Sequence, residues 1–197
     1  MGTRQPAKPS SSLPVFWGEM SPCDHVVQIY KDYAELIDGL ESFVVDGFQR
    51  GEAVIVIVTQ SHLAALEKRL MRHGLPLQDF KDRDQFIVLD AEEALKVFMK
   101  DNWPDEQRFE AMIRDILGRA HANGAHRVRA FGEMVALLWA QGHVAATIRL
   151  ELLWRRICDR EMLCLYCAYP RIGFTGDASE SMREICEAHT RVFPQPA

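Results

Sequence analysis

Positive charge is in deficit: 23 Lys and Arg stand against 28 Asp and Glu, a formal net charge of −5 at pH 7. That balance offers no electrostatic footprint for a phosphate backbone or an anionic bilayer, so neither direct nucleic-acid binding nor membrane association is expected. No run of apolar residues approaches the ~18 that a membrane span requires. Cysteine is scarce, five in 197 residues, and an odd handful in a chain this long is no disulfide framework. A reducing, cytoplasmic setting follows as the expectation. The opening MGTRQPAKPSSSLP lacks the apolar core of a signal peptide. Pro6 stands where a myristoylation motif calls for Ser or Thr. Residues 1–22 and 193–197 are therefore expected to be tails around a unit at 23–192.

Apolar residues are not lacking, and at 48% of the chain they can fill a sizeable core. His25 to Tyr30 reads as a short strand, and Asp32 with Glu35 forms a capping box that opens a helix. Leu36, Ile37, Leu40, Phe43, Val44 and Phe48 recur along that helix at helical spacing. Ala53 to Val58 is a continuous β-branched run, the pattern of a strand buried on both faces. The alternation continues with a helix ending at Gly74, a strand at Phe86 to Leu89, and a helix capped by Asp90 that runs toward Trp103-Pro104. A further helix closes at Gly124, His126 to Phe131 is a fourth strand, and Gly132-Glu133 opens a helix broken at Gly142. Val144 to Cys158 is a long helix, Met162 to Tyr169 a fifth strand, and about 179–192 a last helix. The fold class implied is α/β: a three-layer sandwich around a mostly parallel sheet of about five strands.

In such sheets ligands bind beyond the carboxyl ends of the strands. That rule nominates Tyr30 to Tyr33 with Lys31 between them, Thr59 to Ser61, Leu89-Asp90, Phe131 to Glu133 and Tyr169 to Phe174. The first strand, loop and helix are arranged like a P-loop unit, yet Lys31-Asp32-Tyr33 contains no glycine to wrap a phosphate. Nucleotide hydrolysis is not expected there. The crevice suits a small, weakly charged molecule held near Tyr30 and Tyr33, or is simply the start of a capped helix.

Cys164-x-x-Cys167 spells a redox or zinc half-motif, but three positions apart on a strand the two thiols face opposite sides. Inert, buried cysteine is the reading that follows. Cys23 with His25 makes half a metal site without a second pair, and no histidine has H-E-x-x-H spacing. No metal or cofactor is expected. Glu151 falls on the apolar stripe of its helix, where a carboxylate needs a partner. Arg127 and Arg129 share one strand face by period two, which predicts an Arg129–Glu133–Glu151 cluster serving a structural ion pair or a polar ligand. His25 is read as either a backbone-bonded strand residue or a ligand contact.

His25-x-x-x-x-Tyr30, Asp46-Gly47-Phe48-x-x-Gly51-Glu52, Leu70-x-x-x-Gly74, Arg129-x-x-Gly132-Glu133-Met134, Glu151 and Leu163-x-x-Tyr166-Cys167-Ala168-Tyr169 occur in an order and spacing that resemble the MEDS domain. That sensory domain is named for methanogens, methylotrophs and the dichloromethane regulator. The stretch from Gly47 through the second strand to Gly74 also looks like the core of KaiC- or RecA-like ATPases, without a Walker A loop. The sequence differs from the family pattern at Gln28 and at Leu150-Glu151, where a Tyr-Glu pair is usual.

The resemblance implies a sensory domain for simple hydrocarbon derivatives in prokaryotic signalling. The expectation is a stand-alone, non-enzymatic sensor that binds a small organic ligand with His25, Tyr30, Lys31, Tyr33, Arg129, Glu133 and Glu151. It passes occupancy to a separate histidine kinase or response regulator. A degenerate nucleotide-binding-like domain acting as an interaction scaffold is the competing reading. Trp139 and the helices around Gly142 serve either a homodimer or the core.

Overall fold

The computed structural model describes residues 17, 20–122, 124–173 and 179–193. β1 (His25–Tyr30) leads into α1 (Tyr33–Gln49), which Asp32 caps by accepting from the Glu35 amide. β2 (Ala53–Val58), α2 (Gln60–Leu70), α3 (Leu77–Asp82), β3 (Phe86–Asp90) and α4 (Ala91–Phe98) follow. Asp90 caps α4 by accepting from the amides of Glu92 and Glu93. The two-residue strands β4 (Met99–Lys100) and β5 (Trp103–Pro104) then form a hairpin before α5 (Glu106–Ala122). β6 (Val128–Gly132), α6 (Met134–Ala140), α7 (Val144–Glu161), β7 (Cys164–Pro170), α8 (Ser179–Ala188) and β8 (Arg191–Phe193) complete the order.

Six strands form one sheet in the order β3-β2-β6-β7-β1-β8, and every pairing is parallel. β2 shows how its β-branched run is used. Val54, Val56 and Val58 enter a core with Leu36, Leu40, Phe43, Leu66 and Leu70 from α1 and α2. Ala53, Ile55 and Ile57 enter the opposite core with residues of α4 to α8, among them Phe98, Phe109, Trp154 and Ile185. A strand with apolar side chains on both faces has to sit between two helical layers. The three-layer α/β sandwich is the result.

Glycine lets α1 lie close to the sheet. A Cβ on Gly39 would come within 2.7 Å of the Gln28 carboxamide and 2.8 Å of the Tyr166 hydroxyl. One on Gly47 would come within 2.7 Å of Val54 and 2.8 Å of the Arg129 side chain.

Three sequence expectations are corrected. The helix opened by Asp90 ends at Phe98 rather than near Trp103, because Asp101 and Asn102 both take positive φ, 50° and 60°, and turn the chain in a two-residue hairpin loop. The last helix ends at Ala188, and three residues beyond it pair with β1 to make a sixth strand where five were expected. Within the expected tail at 1–22, Trp17 is buried, its ring 5.0 Å from Phe43 and 4.7 Å from Tyr166. Residues 1–16, 18–19 and 194–197 lie outside the described residues. No helix among the described residues is long and apolar enough to cross a membrane.

Candidate functional site

The carboxyl edge of the sheet carries the first group of polar residues. β6 ends at Gly132, and Glu133 turns into a helical conformation, its amide donating to the Ile57 carbonyl at 2.9 Å. Its side chain reaches across to the end of β2, accepting from the Thr59 amide at 2.8 Å and contacting His62 Nδ1 at 2.6 Å. A carboxylate can only accept, so His62 Nδ1 carries the proton of that bond. The His62 ring lies 5.3 Å from the exposed ring of Tyr33.

Tyr30, at the end of β1, is close enough to feel Glu133. Burial first, and then the Glu133 charge, push its hydroxyl up to about 12. The folded chain therefore keeps this proton between roughly pH 10 and pH 12, where an unfolded tyrosine loses it. Stability contributed by Tyr30 is present below about pH 10 and is lost as pH rises through about 12. Denaturant midpoints measured across that alkaline window should fall less steeply in Tyr30→Phe than in the parent chain.

Beside this group the chain closes on itself. The Lys31 amide donates to Glu35 Oε2 at 2.7 Å, and Asp32 Oδ1 accepts from the Glu35 amide at 3.1 Å. Two carboxylates thus occupy the helix start where a phosphate would lie in a P-loop.

A second group lies between β1, β7, α7 and the end of α8. Glu151, on α7, is fully buried, and Tyr169 donates its hydroxyl to Oε1. Around Oε2 stand His25 Nε2 at 3.3 Å, His189 Nε2 at 3.5 Å and Cys167 Sγ at 3.7 Å. The centres of the two imidazole rings lie 3.9 Å apart, with their planes tilted by 39°. Burial pushes the Glu151 carboxyl up and the histidines down, His25 to about 3 and His189 to about 4. Both imidazoles are therefore neutral near pH 7.

Arg129 belongs to neither group. It is buried at the amino edge of the sheet, with Nε paired to Glu52, NH2 to Asp46 at 3.0 Å, and NH1 to the Phe43 carbonyl at 2.9 Å. Its guanidinium also lies 5.0 Å from the centre of the Phe43 ring.

The residues nominated from sequence are thus brought together in part. Tyr30, Tyr33 and Glu133 share the carboxyl edge with Lys31 next to them, and His25 meets Glu151. The expected Arg129–Glu133–Glu151 cluster does not form, because Glu133 lies beyond the strand end, Glu151 packs over the middle of the sheet, and Arg129 points under α1. Sequence reasoning did not single out His62 or His189, reached Thr59 and Tyr169 only as strand-end positions, and read Cys167 as a buried cysteine, which it is. Cys164 and Cys167 do face opposite layers, as strand parity requires.

The α/β sandwich thus carries a polar group at its strand ends, Glu133 with Thr59 and His62, and a helix start capped by Asp32 and Glu35 where a P-loop fold has its phosphate loop. The family model of the methanogen/methylotroph, DcmR sensory domain, MEDS, matches residues 24–190, and the chain belongs to that family. No curated protein matches it.

Proposed function

We propose that this sensory domain binds a small, weakly charged organic molecule, a simple hydrocarbon derivative, at the carboxyl ends of β1, β2 and β6. Occupancy then passes to a separate cytoplasmic signalling protein such as a histidine kinase or response regulator. The observation that carries the reading is Glu133, held by the Thr59 amide and His62 with Tyr30 and Tyr33 beside it. Glu133 and His62 orient a hydroxyl, amine or carbonyl, and the tyrosine rings cover the apolar remainder. The Asp32–Glu35 cap disfavours phosphate at the same place.

Signalling needs differential affinity for two conformations, and Glu133 links the crevice to a mobile consequence. It is the residue before α6, and α6 packs on α7. A ligand that draws the carboxylate away from Thr59 and His62 shifts the start of α6, and the helix pair presents that shift to a partner. No chemical step is part of this reading.

The test is a thermal-shift screen with short alcohols, acids, amines, halogenated hydrocarbons, Mg-ATP and Mg-ADP. A ligand at ~100 times its dissociation constant adds about 2.7 kcal/mol, a midpoint rise of a few degrees. The expected result is a shift with one organic class that disappears in Glu133→Gln, with the ligand recovered unchanged. A shift with nucleotides alone overturns the reading, and so does an organic shift that Glu133→Gln leaves intact. No shift with any compound turns the weight to an interaction scaffold.

A further inference from the structure

We infer that His25, Glu151, Cys167 and His189 form a closed, tetrahedral site for a divalent transition metal, Zn²⁺ in the first place. Their ligand atoms all lie within 4.8 Å of one another, and all four side chains are buried. Four of the six separations among those atoms match the edges around one central ion, and the two imidazoles, their centres 3.9 Å apart, would spread to complete it. A tetrahedron with metal–nitrogen and metal–oxygen bonds of about 2.0 Å and a metal–sulfur bond of about 2.3 Å has edges of about 3.3 Å between nitrogen and oxygen and about 3.5 Å to sulfur. The measured edges from Glu151 Oε2 to His25 and His189 are 3.3 and 3.5 Å, and those from Cys167 Sγ to His25 and Glu151 are 3.5 and 3.7 Å.

Hydrogen bonding alone does not satisfy this cluster. His189 Nδ1 lies 2.6 Å from the Ile185 carbonyl, which only accepts, so the proton is on Nδ1 and Nε2 presents a lone pair. That Nε2 is buried without a hydrogen-bond partner while it faces the Glu151 carboxyl oxygen at 3.5 Å, so with Glu151 ionised two acceptors confront each other in a dry core. A cation at their centre resolves the confrontation. A backbone carbonyl fixing the far nitrogen is also how metal-ligating histidines are oriented, and Tyr169 does the same for the far oxygen of Glu151.

The charges close as well. Binding displaces the Cys167 thiol proton, and that of Glu151 where the carboxyl is protonated, to solvent. Thiolate, carboxylate and two neutral imidazoles then carry −2, which a divalent ion neutralises. Four protein ligands leave no open coordination position, so the site holds structure and is not a centre of catalysis. It ties the β1 start and the segment after α8 to β7 and α7. This site is separate from the strand-end crevice and stands whether or not that crevice binds an organic ligand.

Because every ligand is buried, metal enters as the chain folds. The experiment is elemental analysis of the full chain expressed with zinc, followed by unfolding in denaturant with chelator and refolding with Co²⁺. The expected result is about one equivalent of zinc per chain. The cobalt form should show the visible absorption of a tetrahedral site and a near-ultraviolet thiolate charge-transfer band. Cys167→Ser should fold, keep a visible cobalt spectrum and lose the charge-transfer band. His189→Gln, which removes a ligand outright, should weaken metal affinity by at least the roughly 10–100-fold that losing an outer-shell partner costs. Metal-free protein both as purified and after refolding overturns the proposal. Unchanged stoichiometry and spectrum in a folded Cys167→Ser chain overturn it too, since the metal then sits elsewhere.

Discussion

Arg129→Ala is expected to cost about 3–5 kcal/mol of folding stability, the penalty for stranding buried partners of a broken ion pair. Arg129 is only 3% exposed and Glu52 only 7%, so little water reaches the carboxylate left behind. The loss extends beyond one pair, because the same guanidinium bonds Asp46 and the Phe43 carbonyl and covers the Phe43 ring. These contacts fasten the last turns of α1 to the start of β2, where Gly47 already leaves no room between helix and strand. Arg129→Lys keeps the charge but loses the planar fork, and should recover only part of the stability. Urea unfolding of the three proteins measures the effect. Affinity for any organic ligand found at the carboxyl edge should survive in the folded fraction; its loss at unchanged stability would make Arg129 a ligand contact instead.

Trp154→Ala is the second large effect, about 3–5 kcal/mol for emptying an aromatic site in the core. Trp154 is 1% exposed, meets Phe109 edge to face at 5.0 Å, and packs over Gly132, the residue that leads into Glu133. Its indole nitrogen is buried without a hydrogen-bond partner. Trp154→Phe therefore leaves a small void but also removes an unsatisfied donor, and should cost only about 1 kcal/mol. Denaturant midpoints that place the Phe and Ala variants together would show that the indole nitrogen is satisfied in solution. The Ala variant should also weaken organic ligand binding, since the turn that aims Glu133 loses its support.

The fold was legible wherever periodicity ran long enough to report burial. β2 alternates its six residues between two cores, and the capping boxes at Asp32 and Asp90 mark the helix starts. β8 escaped because three residues carry no period, and only pairing with β1 makes them a strand. The β4–β5 hairpin escaped for the same reason, two residues a side. Parity along β6 put Arg127 and Arg129 on one face, but it could not say that Glu52, 77 residues away from Arg129, is the partner. The buried cluster draws His25, Cys167 and Glu151 from β1, β7 and α7 and His189 from the segment after α8, so no ligand spacing exists in the chain to be read. The signal that did exist was Glu151 on an apolar stripe, which called for company; the partners named for it, Arg129 and Glu133, are not the ones that it meets.

The His25 amide donates to the Thr190 hydroxyl at 3.0 Å, across 165 positions of sequence. β1, which precedes the other strands in sequence, is thus flanked by the two that follow them, β7 on one side and β8 on the other. Contacts of such high sequence separation carry a large loop-closure cost, which the completed sheet has to offset. The environment of His25 is consequently a record of completed folding, since no shorter fragment of the chain brings His189 to it.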